Sequence, residues 1–213
     1  MKMSEHTKFV DLPLGEFLDS LASGDPTPGG GSASAAAGAA GAALVKMVAN
    51  LTAGRKPYKE VSEQAGKIKE ESSLLLAELK DLIDEDSRAF DGVMEAIRMP
   101  KETDKDKKAR KRALQAATRQ ATEVPLQIMR RSHRVLQLAE QISEIGNPNA
   151  LSDALVAGGL ARTALRGGAC NVRINLSSLE DEGFTKRVRA EMNELLDASS
   201  DLYEGIIRRE ADL

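Results

Sequence analysis

A chain of 213 residues is long enough to bury roughly 70% of its unfolded surface, so a core forms without disulfide or metal staples. Aromatics make up 3% and there is no Trp, which leaves Leu, Ile, Val, Met and Ala to fill that core. The 30 basic and 33 acidic residues are mixed along the chain for a formal charge of −3, which excludes a basic field for general nucleic-acid binding. The single Cys170 excludes an internal disulfide framework.

The N-terminal stretch MKMSEHTKFVDLPLGEF is charged and lacks the apolar stretch of a signal peptide, so the cytoplasm is the expected address. Residues 9–22 predict a short amphipathic helix, with Phe17, Leu18 and Leu21 at helical spacing. Two prolines and three consecutive glycines between Gly24 and Gly31 make the next segment a loop. Ser32 is the expected N-cap of a second helix running to about Leu51, apolar nearly all round and therefore central. In it Gly38 and Gly41 allow neighbouring helices to approach. Lys46 and the scarcity of Leu and Ile argue that this helix falls short of a membrane span, and no membrane association is expected.

Gly54–Pro57 is a break, with Pro57 at a helix N1 position, and a long helix follows to about Arg98, stopped by Met99-Pro100. The run KETDKDKKARKR reads as a charged, solvated connection. A helix is expected over about 106–122, and Pro125 starts or kinks another that reaches Ile145. Gly146–Asn149 is a turn, an Ala-rich helix spans about 150–176 unless Gly167-Gly168 breaks it, and residues 185–210 form a last amphipathic helix. No segment alternates with period two. The expectation is one all-α domain over 1–213, a helical bundle with Ala/Gly-rich central helices.

The long helix holds one anomaly. Its apolar positions Leu75, Leu79, Leu82, Phe90, Val93 and Ile97 step by 4, 3, 8, 3 and 4, and the missing member is Asp86. At about 100° per residue, Asp86 points within roughly 40° of that stripe, whereas Asp81, Glu85 and Asp91 lie off it and Asp84 is nearly opposite. Desolvation raises the pKa of such a carboxyl toward the range of a general acid. A structural Asp bonded to a buried Arg, or a stripe that opens onto solvent at this point, fits the same geometry equally well.

Three more features carry chemistry. Asp153, Asn171 and Asn175 share a face of the Ala-rich helix with Ala157, Leu160 and Ala164, forming either an interhelical hydrogen-bond network or part of a polar pocket. Gly29-Gly30-Gly31-Ser32 places free backbone N–H groups at a helix start, suited to an anion or an electron-rich heterocycle, or else serves only as a tight turn. It is not a Walker A loop, because Gly30 stands where the lysine belongs. His6 and His133 lack ligand spacing and no metal site is expected, and Cys170 reads as a small buried hydrophobe.

In order along the chain stand Pro28-Gly-Gly-Gly-Ser32, Met47-Val-Ala-Asn-Leu-Thr52, Gly54-Arg55, Asp86-Ser-Arg-Ala-Phe90 and Met99-Pro-Lys101. Ala113-Leu-Gln115, Val124-Pro-Leu126, Gly146-Asn147, Ser152-Asp153 and Asn171-Val-Arg-Ile-Asn175 follow. This ordered set resembles the formiminotransferase-cyclodeaminase C-terminal family, over nearly the whole chain. The resemblance implies an all-helical homodimer that takes a tetrahydrofolate derivative, with one or more glutamates, and no cofactor beyond that substrate.

The resemblance also implies that Asp86 is the proton donor. Gly29, Gly30, Gly31, Ser32, Asp153, Asn171 and Asn175 are then substrate-binding candidates. Arg55 and Lys101, with Lys56 behind them, are candidates for the glutamate carboxylates. The implied reaction is cyclodeamination of 5-formimino-tetrahydrofolate to 5,10-methenyl-tetrahydrofolate and ammonia. The alternative is methenyltetrahydrofolate cyclohydrolase, kept open by the lack of a formiminotransferase segment in this sequence. A non-enzymatic folate-binding or interaction module is a third reading.

Overall fold

Periodicity of apolar side chains, punctuated by Pro and Gly, produces six helices in a computed structural model that describes residues 8–213. His6 lies outside the described residues. The helices are α1 (Leu14–Ala22), α2 (Gly30–Thr52), α3 (Ser62–Arg98), α4 (Asp104–Ile145), α5 (Leu151–Leu176) and α6 (Glu182–Arg208). Short 3-10 turns at Phe9–Asp11, Lys56–Val61, Pro148–Ala150 and Arg209–Asp212 fill the joints, and no strand occurs among the described residues. The all-α expectation holds.

The Ala/Gly-rich α2 is the hub. It packs on α3, α5 and α4, and α6 closes over α4 and α5. Ala35, Ala42, Val45 and Ala49 of α2 are wholly buried, as are Ala154, Ala157 and Ala161 of α5. Small side chains bring the two backbones together: a methyl group at Gly41 would lie 3.0 Å from the Ala157 carbonyl oxygen. At 23 residues, α2 is long and apolar enough to cross a bilayer, which corrects the expectation that it falls short, and 56% of its apolar window is buried inside this fold.

Several boundaries differ from the sequence expectation. Residues 9–22 split into the Phe9–Asp11 turn and α1, because Pro13 fixes the joint. Ser32 is not the N-cap of α2. Gly29 occupies that position, and Ser32 stands in the first turn with its side chain fully buried. The charged run from Lys101 is mostly helix, started by a capping box in which Thr103 and Asp106 satisfy each other's backbone N–H groups.

Pro125 ends nothing. It sits buried inside a continuous 42-residue α4. A proline there removes the N–H that would serve the carbonyl four residues back, Ala121, at a cost of about 3 kcal/mol in an ordinary helix interior. The Asn175 side chain of α5 replaces that donor, its Nδ2 lying 2.7 Å from the Ala121 oxygen. The helix survives because a second helix supplies the missing bond.

Two further residues depart from periodicity. Asp84 is buried, since the face opposite the stripe is covered by the Phe9–Asp11 turn, and its carboxylate accepts the Phe9 N–H at 2.7 Å. Cys170 is exposed rather than buried, because among the described residues none covers the outer face of α5 at that turn.

Gly38 offers a direct test of the hub. A Cβ there would lie 2.9 Å from Ser132 Oγ and 3.1 Å from Leu79 Cδ2, in a region already filled. Gly38→Val is expected to lower stability by about 1–3 kcal/mol in urea unfolding, whereas Gly66→Val, where a Cβ meets open space, leaves the packing untouched.

Candidate active site

The apolar stripe of α3 serves two purposes. Leu75, Leu79 and Leu82 are buried in the core, but Phe90 and Ile97 are 37% and 41% exposed. From Asp86 onward the stripe leaves the core and lines a cavity of about 430 Å³. The second wall is the loop and first turn of α2, with Pro26, Thr27 and Gly29 to Gly31. The third is α4 with Leu114, Thr118 and Ala121, and the fourth is α5 with Asn171, Ile174 and Asn175. Ser178 sits at the rim, where Gln115 of α4 donates to its carbonyl at 2.9 Å and thereby holds the α5–α6 joint in place.

Asp86 is half-buried at the junction of α2 and α3. Its Oδ2 accepts the Ser32 backbone N–H at 2.9 Å, so an acid from another helix satisfies a free N–H in the first turn of α2. Ser32 Oγ lies 2.8 Å from the Ile83 carbonyl and 3.2 Å from Asp86 Oδ2, with a single proton to share between them. Gly31 makes the approach possible: any side chain there would overlap the Asp86 carboxyl group. Among the described residues no donor reaches Oδ1.

Burial pushes the Asp86 carboxyl above the ordinary aspartate range, and the Ser32 hydroxyl and backbone N–H pull it back. A carboxyl on a cavity wall, held by one oxygen and raised in pKa, can donate or accept a proton at its other oxygen. No buried Arg pairs with it among the described residues, so the stripe that opens outward is the geometry the structure adopts.

The cavity gathers Gly29, Gly30, Gly31, Asp86, Asn171 and Asn175, with Ser32 directly behind Asp86. Arg55 and Asp153 do not join them. Arg55 follows the far end of α2, and Asp153 is eighteen residues from Asn171 on α5, about 27 Å along the axis. Lys101 is exposed in the α3–α4 turn, outside the cavity wall but beyond Ile97, the last wall residue of α3. Sequence reasoning placed Phe90, Val93 and Ile97 on the apolar stripe and allowed that it opens outward, but did not name them as wall residues. It also gave no role to Leu114 or Thr118, whose spacing of four on α4 was the available signal.

Comparison with known proteins identifies the family to which the chain belongs. The family model described as formiminotransferase-cyclodeaminase matches residues 13–194. The chain is 46% identical over 190 residues to a methenyltetrahydrofolate cyclohydrolase of Methylorubrum extorquens, covering 89% of this chain and 91% of that protein. It is 33% identical to the formimidoyltransferase-cyclodeaminase of Rattus norvegicus, over 88% of this chain but only 35% of that longer protein. The crystal structure of a formiminotetrahydrofolate cyclodeaminase from Thermotoga maritima superposes with a TM-score of 0.85 at 32% identity, over 93% of this chain and 95% of that one.

The state of Asp86 predicts a pH-dependent stability. Its folded pKa is raised, so the folded protein carries an ionisation cost above that pKa and none below the unfolded value of 3.8. Asp86→Asn keeps an acceptor for the Ser32 N–H and removes the charge. Its melting temperature is expected to exceed the parent's near neutral pH, with the gain shrinking to zero as pH falls toward 4. A variant that melts lower than the parent at every pH would contradict the placement of a strained acid.

Proposed function

The chain belongs to the formiminotransferase-cyclodeaminase family, and from that membership we propose an enzyme acting on the one-carbon unit of a tetrahydrofolate, with Asp86 moving the proton. The observation that carries this reading is the Asp86 carboxyl, raised in pKa and set in a cavity otherwise lined largely by apolar and amide groups. An interaction module has no use for such a group, since an acid held above its ordinary range costs stability.

Identity with the Methylorubrum cyclohydrolase over nearly the full length of both chains supports hydrolysis as the first reading. Water attacks the amidinium carbon of 5,10-methenyl-tetrahydrofolate, and ionised Asp86 accepts the proton that water loses. The carbon–N5 bond then breaks as protonated Asp86 returns a proton to N5, leaving 10-formyl-tetrahydrofolate and releasing one proton overall. The likeness to the Thermotoga cyclodeaminase keeps deamination as the second reading. There N10 attacks the formimino carbon of 5-formimino-tetrahydrofolate, and Asp86 protonates the amino group that departs as ammonia.

Both reactions join N5 and N10 of one molecule through a single carbon, so much of the acceleration comes from holding the two nitrogens in place. Free N–H groups of the Gly29–Gly31 turn and the amides of Asn171 and Asn175 are the groups for that task. Lys101, exposed past the end of the α3 wall, is our candidate cation for a glutamate tail leaving the cavity. Homodimerisation and a cytoplasmic setting complete this reading on the strength of the family resemblance.

Supplying each folate separately and following the methenyl absorbance tests the assignment. Its loss from the methenyl compound supports hydrolysis, its appearance from the formimino compound supports deamination, and no change with either defeats both. Asp86→Asn is expected to lower kcat by about 100-fold or more, the range of general acid–base catalysis, with KM altered only a few-fold.

A further inference from the structure

Pro125 lies behind the cavity wall rather than on it, yet it fixes the chemistry that one wall presents. Because Pro125 has no N–H, the Ala121 carbonyl on that wall takes its bond from Asn175 Nδ2. A carbonyl oxygen only accepts, so the Asn175 amide has one satisfactory orientation, NH2 toward Ala121. Its Oδ1 is thereby left free, and among the described residues no donor reaches it. One turn away on α5, Asn171 Nδ2 lies 2.9 Å from the Gly167 carbonyl, which frees a second amide oxygen in the same way.

The α5 wall therefore offers hydrogen-bond acceptors, while Phe90, Val93 and Ile97 of α3 offer flat apolar surface. That combination suits a planar heterocycle with N–H donors along one edge. In a tetrahydrofolate, the part that meets this description is the reduced pterin, with its ring N–H groups and amino substituent. The p-aminobenzoyl-glutamate portion presents few such donors and carries carboxylates, which amide oxygens would repel.

We propose that Pro125 is a positioning residue, locking the Asn175 amide so that its Oδ1 accepts a hydrogen bond from the N–H edge of the substrate's pterin ring. This rests on the folate reading. The role is separable from structure, because Pro125→Ala gives Ala121 its ordinary helical donor and makes Asn175 dispensable for folding.

The decisive protein is therefore the double variant Pro125→Ala/Asn175→Ala, compared with Pro125→Ala and the parent. Both variants are expected to melt no lower than the parent. The double variant is expected to show a KM raised about tenfold, the scale of one lost hydrogen bond, with kcat much less affected. Pro125→Ala alone, whose Asn175 amide is free to turn, is expected to show a smaller rise in KM; a parental KM for Pro125→Ala overturns the role of Pro125. Inhibition by tetrahydropterin should weaken by the same factor, while inhibition by p-aminobenzoylglutamate stays unchanged.

A stable double variant with parental KM overturns the proposal and leaves the folate enzyme intact. A shift confined to p-aminobenzoylglutamate overturns the pterin assignment. A parent protein that turns over neither folate defeats the functional reading and this proposal together.

Discussion

The contact between Asp86 and the first turn of α2 is the constraint on which the site depends. It joins a carboxyl oxygen to the Ser32 N–H at 2.9 Å, and it requires that Gly31 have no side chain. An acid near a helix N-terminus gains typically 0.3–1 kcal/mol from the helix dipole, more where the geometry is partly buried. That gain offsets part of the cost of taking the acid out of water. The same contact fixes where α3 crosses α2, and so where the stripe of α3 leaves the core. Beneath Asp86 the helices close on leucines, and beyond it they separate around a cavity.

The separation follows from side-chain size. The α2–α5 contact is rich in Ala and Gly, and it lets the two helices approach closely where Gly41 faces Ala157 and Gly38 faces Ala164. At the glycine turn α2 begins, and no residue of α2 extends beyond it to fill the gap between α3, α4 and α5. The polar groups there are few and are tied down from behind: Asp86 by Ser32, Asn171 by the Gly167 carbonyl, Asn175 by the Ala121 carbonyl, and Ser178 by Gln115. Each is held through a backbone atom, which resists displacement better than a contact between two mobile side chains.

Much of this was legible in the sequence, because helices announce themselves by period and by Pro and Gly. Asp86 stood out as a charge where a leucine was due, and the Gly29–Gly31 turn, Asn171 and Asn175 were found by their places on helices. What stayed hidden depends on partners distant in the chain. Asp84 was placed nearly opposite the stripe, and periodicity cannot foresee that the Phe9–Asp11 turn will cover it. Pro125 was read as the start or kink of a further helix because local rules favour that, and a donor fifty residues later allows one helix to continue through it. Asp153 was grouped with the site by the helix face it shares with Asn171 and Asn175, and Arg55 by its charge and its place among the family motifs. A shared helix face or a motif does not give distance along the helix, and these two lie toward the opposite end of the bundle from the cavity.

Two opposing influences on one carboxyl connect the fold to the chemistry. Burial alone would raise Asp86 until it held its proton and served only as an acid. Full pairing with a cation would lower it until it was only a base. The structure applies burial and opposes it with two neutral donors from one residue, the Ser32 N–H and hydroxyl. Hydrolysis of a methenyl bridge needs a proton taken from water and then delivered to a ring nitrogen, so the group responsible must stand between those extremes. A neutral partner achieves this where an arginine would not. The absence of a cation beside Asp86 among the described residues is thus as much a part of the site as the bond to Ser32.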